Sequence, residues 1–91
     1  MGTQKAVQVL IDGRVQGVGF RWSCSTVAER LGVRGWIRNL PDGRVEAHFE
    51  GNQDQLDQIL RWAHEGPSYA SVRSVTVTDG RVEGMRNFSV A

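Results

Sequence analysis

The apolar residues of this chain follow two different periods. Val7, Val9 and Ile11 alternate with Gln8, Leu10 and Asp12, the period of two that predicts a strand over about residues 5–12 with one face buried. The spacing then changes. Phe20, Cys24, Val27, Ala28 and Leu31 fall at i, i+4, i+7, i+8 and i+11, a single stripe along a helix that Gly32 stops. Two further strands are predicted from Val33 to Leu40 and from Arg44 to Glu50. Pro41-Asp42-Gly43 joins them as a hairpin, proline and glycine supplying the dihedral angles of a tight turn. A second helix opens at Asn52, an N-cap with Gln55 as its partner three residues on, and carries Leu56, Ile59, Leu60 and Ala63 on one face until Gly66-Pro67. A fourth strand follows from Val72 to Thr78, and a short fifth from Asn87 to Val90.

The order β-α-β-β-α-β with an added C-terminal strand predicts an α+β fold, a ferredoxin-like sandwich in which two helices cover one face of an antiparallel sheet. With 91 residues the chain can bury one modest core, so residues 1–91 are expected to form a single domain. The longest loop-like stretch, Asp79 to Arg86, reads as a short connection within it. Eleven Lys and Arg against ten Asp and Glu leave a net charge of +1, which points to neither a nucleic-acid nor a membrane surface. Cys24 is the only cysteine, so an intrachain disulfide and a cysteine metal cluster are excluded and a reducing, cytoplasmic setting is expected. Met1-Gly2-Thr3-Gln4-Lys5 leads straight into the first strand with no apolar signal-peptide core, and a soluble monomer is the expectation.

The candidate chemistry lies where the first strand hands over to the first helix. Gly13-Arg14-Val15-Gln16-Gly17-Val18-Gly19-Phe20-Arg21 sets three glycines within seven residues ahead of a helix N-terminus. Glycines permit positive φ, successive N–H groups can then surround one point, and the helix adds its unpaired first-turn N–H groups and the positive end of its dipole. Arg21 brings a planar fork of donors suited to two phosphate oxygens. Such turns also arise for topological reasons alone, and this one has neither the Gly-Lys-Ser/Thr ending of a P-loop nor the Gly-x-Gly-x-x-Gly spacing. Strand parity supplies a separate pointer. Ile37 should face the helices, Asn39 shares its parity, and in a split β-α-β unit the end of that strand lies near the loop where Arg21 begins its helix.

At this point the residues resemble a known family, the acylphosphatases, along essentially the whole chain. The resemblance rests on residues 13–21 and on Gly35-Trp36-Ile37-Arg38-Asn39-Leu40-Pro41-Asp42-Gly43-Arg44-Val45-Glu46, followed by Glu50-Gly51 before the second helix. It implies hydrolysis of an acyl phosphate to a carboxylate and inorganic phosphate without a metal or cofactor. Inorganic phosphate is then expected as product and competitive inhibitor. It also implies roles: the backbone matching Val15, Gln16, Gly17, Val18, Gly19 and Phe20 cradles the phosphate, Arg21 binds it, and Asn39 orients the attacking water. The C-terminal Phe88-Ser89-Val90-Ala91 departs from relatives that often finish on a basic residue. No side chain in either block is an evident base, which leaves the phosphate itself as the candidate acceptor of the water's proton.

The remaining reactive side chains read as structural. Cys24 lies on the buried stripe of the first helix, a core thiol rather than a nucleophile. His48 shares its parity with Glu46 and Glu50 and is expected on an exposed face, and His64 sits at a helix C-terminus where a cation is favourable. Trp22, Trp36 and Trp62 are expected to pack, with Trp36 near enough to the hairpin to border the substrate's acyl end. An RNA-binding module of the same topology is disfavoured by outward Glu46 and Glu50. A delivery role, as in acylphosphatase-like domains of larger proteins that handle carbamoyl phosphate in hydrogenase maturation, is disfavoured because no zinc-finger cysteines or transferase domain follow.

Overall fold

The computed structural model describes residues 3–91; the expectation about the Met1-Gly2 start falls partly outside them. The elements are β1 (Lys5–Arg14), α1 (Phe20–Leu31), β2 (Arg34–Asn39), β3 (Val45–Gly51), α2 (Gln53–Glu65), β4 (Ser71–Asp79) and β5 (Phe88–Val90). They form one sheet in the order β4-β1-β3-β2-β5 with both helices on one face, the sandwich that the element order predicts. No helix among the described residues is long and apolar enough to cross a membrane.

Alternation sorts the side chains. Val9 and Ile11 from β1, Ile37 from β2 and Val45, Ala47 and Phe49 from β3 are fully buried against Phe20, Cys24, Val27 and Ala28 of α1 and Leu56, Ile59 and Ala63 of α2. The α2 start has the capping box: Asn52 Oδ1 accepts from Gln55 N at 2.8 Å and Gln55 Oε1 accepts from Asn52 N at 2.8 Å. Gln55 Nε2 also donates to Leu31 O at 3.0 Å, tying this cap to the last turn of α1.

Three features differ from the sequence reading. The sheet is mixed, because β5 runs parallel to β2 while every other pair is antiparallel. The chain returns from β4 across the sheet, so β5 adds to the far edge in the direction of β2 rather than as a hairpin. Secondly, β1 continues to Arg14 through a register shift between Asp12 and Gly13. Thirdly, residues 80–87 do not merely connect: Gly80 N donates to Ala6 O on β1 and Asn87 O accepts from Gly35 N on β2, so the segment crosses the face opposite the helices.

That crossing corrects the expected exposure of His48 and Glu50, which are 2% and 0% exposed. Glu50 accepts from Glu83 N at 2.7 Å, from Met85 N at 3.0 Å and from His48 Nε2 at 2.7 Å, while His48 Nδ1 lies 2.5 Å from Gln8 Oε1. Parity names the face on which these side chains stand, but only the tertiary path of a distant segment decides whether that face is wet. Burial alone would raise the Glu50 pKa; the hydrogen bonds from His48, Glu83 and Met85 and the charge of His48 outweigh it, holding the carboxyl below its ordinary value. The anchored crossing segment thus covers part of the sheet face opposite the helices.

Candidate active site

The 15–20 loop is held at both ends and open between. Val15 and Phe20 are buried, while Gly17 and Gly19 have φ of 73° and 78°, and a Cβ at either would meet nothing within 4 Å. These two glycines are therefore required by conformation alone, turning the backbone outward without a side chain above it. Gly13 serves another purpose. Its Cβ would stand 2.2 Å from Ser71 O, so it lets β4 pack closely on β1 and contributes no wall to the loop.

Gly19 is also the N-cap of α1, left-handed at φ 78°, ψ 16°, with no side-chain capping bond and no acidic residue in the first turn. The contrast with the Asn52 box of α2 is chemical: the first N–H groups of α1 have no side-chain cap, the condition under which a helix start can take an anion. Arg21 is half-buried one residue into this helix. Its Nη1 donates to Ala91 O at 2.5 Å, and Ala91 N donates to Ile37 O at 2.9 Å, two residues before Asn39. The C-terminal backbone thereby ties the arginine to the strand that ends in Asn39. Asn39 stands exposed at the end of β2, paired in register with Val45 and on the same strand parity as the buried Ile37.

A second tie comes from inside the loop. Gln16 Nε2 donates to Leu40 O at 2.8 Å and to Arg44 O at 2.9 Å, the two carbonyls that close the β2–β3 turn. Loop, arginine and asparagine, separate in sequence, are so fastened to one end of the sheet. Sequence reasoning missed Ala91 and the Gln16 side chain as fasteners. Nothing in the composition of either segment signals which carbonyl a side chain will find 24, 28 or 70 residues away.

The profile of the acylphosphatase family matches residues 7–90. The chain belongs to the acylphosphatase family. An acylphosphatase of Trichormus variabilis is 54% identical over 84 residues, covering 92% of this chain and 83% of that one. Among solved structures, an acylphosphatase from Coxiella burnetii matches with TM-score 0.93 at 36% identity over 97% of this chain and 93% of that chain. One from Bacillus subtilis gives 0.92 at 34% identity over 98% and 99%. Fold and membership thus agree with the residues that first suggested the family.

Within this acylphosphatase fold the side chains set aside earlier divide. Cys24 is fully buried and its pKa is pushed up to about 12 by burial, which removes it as a nucleophile. His64 Nδ1 lies 2.8 Å from Leu60 O and serves the last turn of α2. Trp62 packs on Phe20 with ring centroids 5.1 Å apart, as expected. Trp36 does not border the site: it stacks on His48 at 6.0 Å on the opposite face, with the Arg38 guanidinium 5.2 Å from its ring. Trp22 is 67% exposed rather than packed. The stripe of α1 runs through Phe20 and Cys24, which turns Trp22 to solvent.

Proposed function

We propose that this chain is an acylphosphatase that hydrolyses the carboxyl–phosphate bond of small acyl phosphates, with the phosphate seated on the backbone of residues 15–20 and on Arg21. The observation that carries the reading is the tethering of Arg21, the uncapped start of α1 and Asn39 to one end of the sheet within an acylphosphatase fold.

The chemistry asks little of side chains. A carboxylate leaving group has a conjugate acid of pKa about 4, so it departs without a general acid. Water attacks phosphorus, the P–O bond to the acyl oxygen breaks, and the acyl oxygen keeps the electron pair. The water's proton passes to a phosphoryl oxygen, so carboxylate and inorganic phosphate leave. Arg21 and the loop N–H groups stabilise charge on the equatorial oxygens. Asn39, with one acceptor and two donor hydrogens, holds the water in line. No step in this scheme calls for a metal or cofactor.

The test is turnover of acetyl phosphate by the purified chain with EDTA present. The expected result is EDTA-insensitive release of phosphate, inhibited competitively by inorganic phosphate. A folded chain without turnover, or one that depends on zinc or magnesium, overturns the proposal.

A further inference from the structure

Gln16 carries the only polar side chain of the 15–20 loop. Val15 is buried, Val18 packs against the core and Phe20 lies under Trp62. The Gln16 carboxamide is engaged with unusual economy. Leu40 O already accepts from Gly43 N at 3.2 Å, and Arg44 O from Leu40 N at 2.8 Å, the two bonds that close the β2–β3 turn. Nε2 reaches both of these carbonyls, so its two hydrogens occupy their second lone pairs at 2.8 and 2.9 Å. A hydroxyl could serve one carbonyl; only a group with two donors spans both. Leu40 directly follows Asn39, and Arg44 directly precedes Val45, the register partner of Asn39. The two bonds therefore lie one residue beyond the Asn39–Val45 pair, on its turn side, and fix the separation of that pair from the loop backbone.

We propose that Gln16 is a positioning residue for the hydrolytic step: it sets the span between the phosphate-binding backbone and Asn39, so that the water arrives in line with the breaking P–O bond. The proposal rests on the water-orienting role given to Asn39 above. In-line displacement is sensitive to such a span, since misplacing a positioned group by about 1 Å costs on the order of a hundredfold in rate. A simple brace behaves differently. It lowers stability when removed and leaves the rate per folded molecule alone.

The experiment is a double-mutant cycle with Gln16→Met, of equal length but without donors, and Asn39→Ala. The kcat on acetyl phosphate and the inhibition constant of inorganic phosphate are measured on each variant at a temperature where thermal melts show it folded. Gln16→Met is expected to lose about tenfold in kcat with phosphate inhibition changed less than threefold, and to cost less than twofold once Asn39 is already alanine. An unchanged kcat in Gln16→Met, or the same tenfold loss in both backgrounds, overturns the positioning role. If Asn39→Ala alone leaves kcat intact, the role of Asn39 falls first and that of Gln16 with it. Should Gln16→Met not fold, Gln16→Glu serves. Its carboxylate faces two carbonyls at neutral pH, and kcat relative to the unsubstituted protein is expected to rise in part as the pH falls and the carboxyl regains one of the two donors. A relative kcat that does not move with pH overturns the proposal equally.

Discussion

At the scale of single residues, the candidate site depends on donors whose geometry is fixed before any ligand arrives. Arg21 is held through Ala91 O, which orients one edge of its guanidinium and leaves its other N–H groups without a partner among the described residues. Arg21→Lys keeps the charge and loses the fork, so we expect most of the acyl phosphate turnover to disappear while circular dichroism and the melting temperature stay close to those of the unsubstituted protein. Turnover near the original value would remove Arg21 from phosphate binding. Asn39→Ala should instead lower kcat by roughly a hundredfold, by analogy with the loss of an oxyanion-hole donor at about 3 kcal/mol, and leave the inhibition constant of phosphate nearly unchanged. Loss of phosphate affinity as large as in the Arg21 variant would contradict a contact with water alone.

At the scale of elements, two glycines of the same motif do unlike work. A Cβ at Gly13 meets Ser71 O at 2.2 Å and Arg73 N at 2.7 Å, so Gly13→Ala must push β4 off β1. We expect about 2–3 kcal/mol of destabilisation in urea unfolding. At Gly17 there is open space and only the left-handed backbone opposes a side chain, so Gly17→Ala should cost about 1–2 kcal/mol of stability yet impair activity more severely than Gly13→Ala does per folded molecule. Equal losses of activity in the two variants would show that Gly13 also shapes the phosphate loop.

For the molecule as a whole, stability is expected to depend on a carboxylate far from the chemistry. Glu50 holds the 80–87 segment over the sheet, and its folded-state pKa is depressed. A depressed carboxyl contributes stability above its unfolded pKa of about 4.3, and that contribution is lost as pH falls through the folded value. Unfolding free energy should therefore drop below about pH 4.3, and Glu50→Gln should flatten that part of the profile while costing about 2 kcal/mol at pH 7. An acid slope identical in both proteins would assign the effect to other carboxylates. Phosphate acts in the opposite sense: at ten times its dissociation constant it should add about 1.4 kcal/mol and raise the melting temperature by several degrees.

Local chemistry was enough to read the elements from the sequence and to nominate the polar groups of the candidate site. The period of two in Val7, Val9 and Ile11 and the stripe from Phe20 to Leu31 specify their elements because side-chain direction follows directly from backbone repeat. Gly17, Gly19 and Arg21 could be nominated as a candidate anion site because positive φ and helix N-termini are local properties. The tertiary structure alone decided what depends on chain segments distant in sequence. It buried His48 and Glu50 beneath residues 80–87, made β5 a parallel neighbour of β2, and turned Trp36 away from the site. It also gave Arg21 and Gln16 their partners in Ala91, Leu40 and Arg44. Backbone carbonyls are the same in every residue, so no pattern of side chains announces which of them a distant donor will meet; only the packed path of the chain selects them.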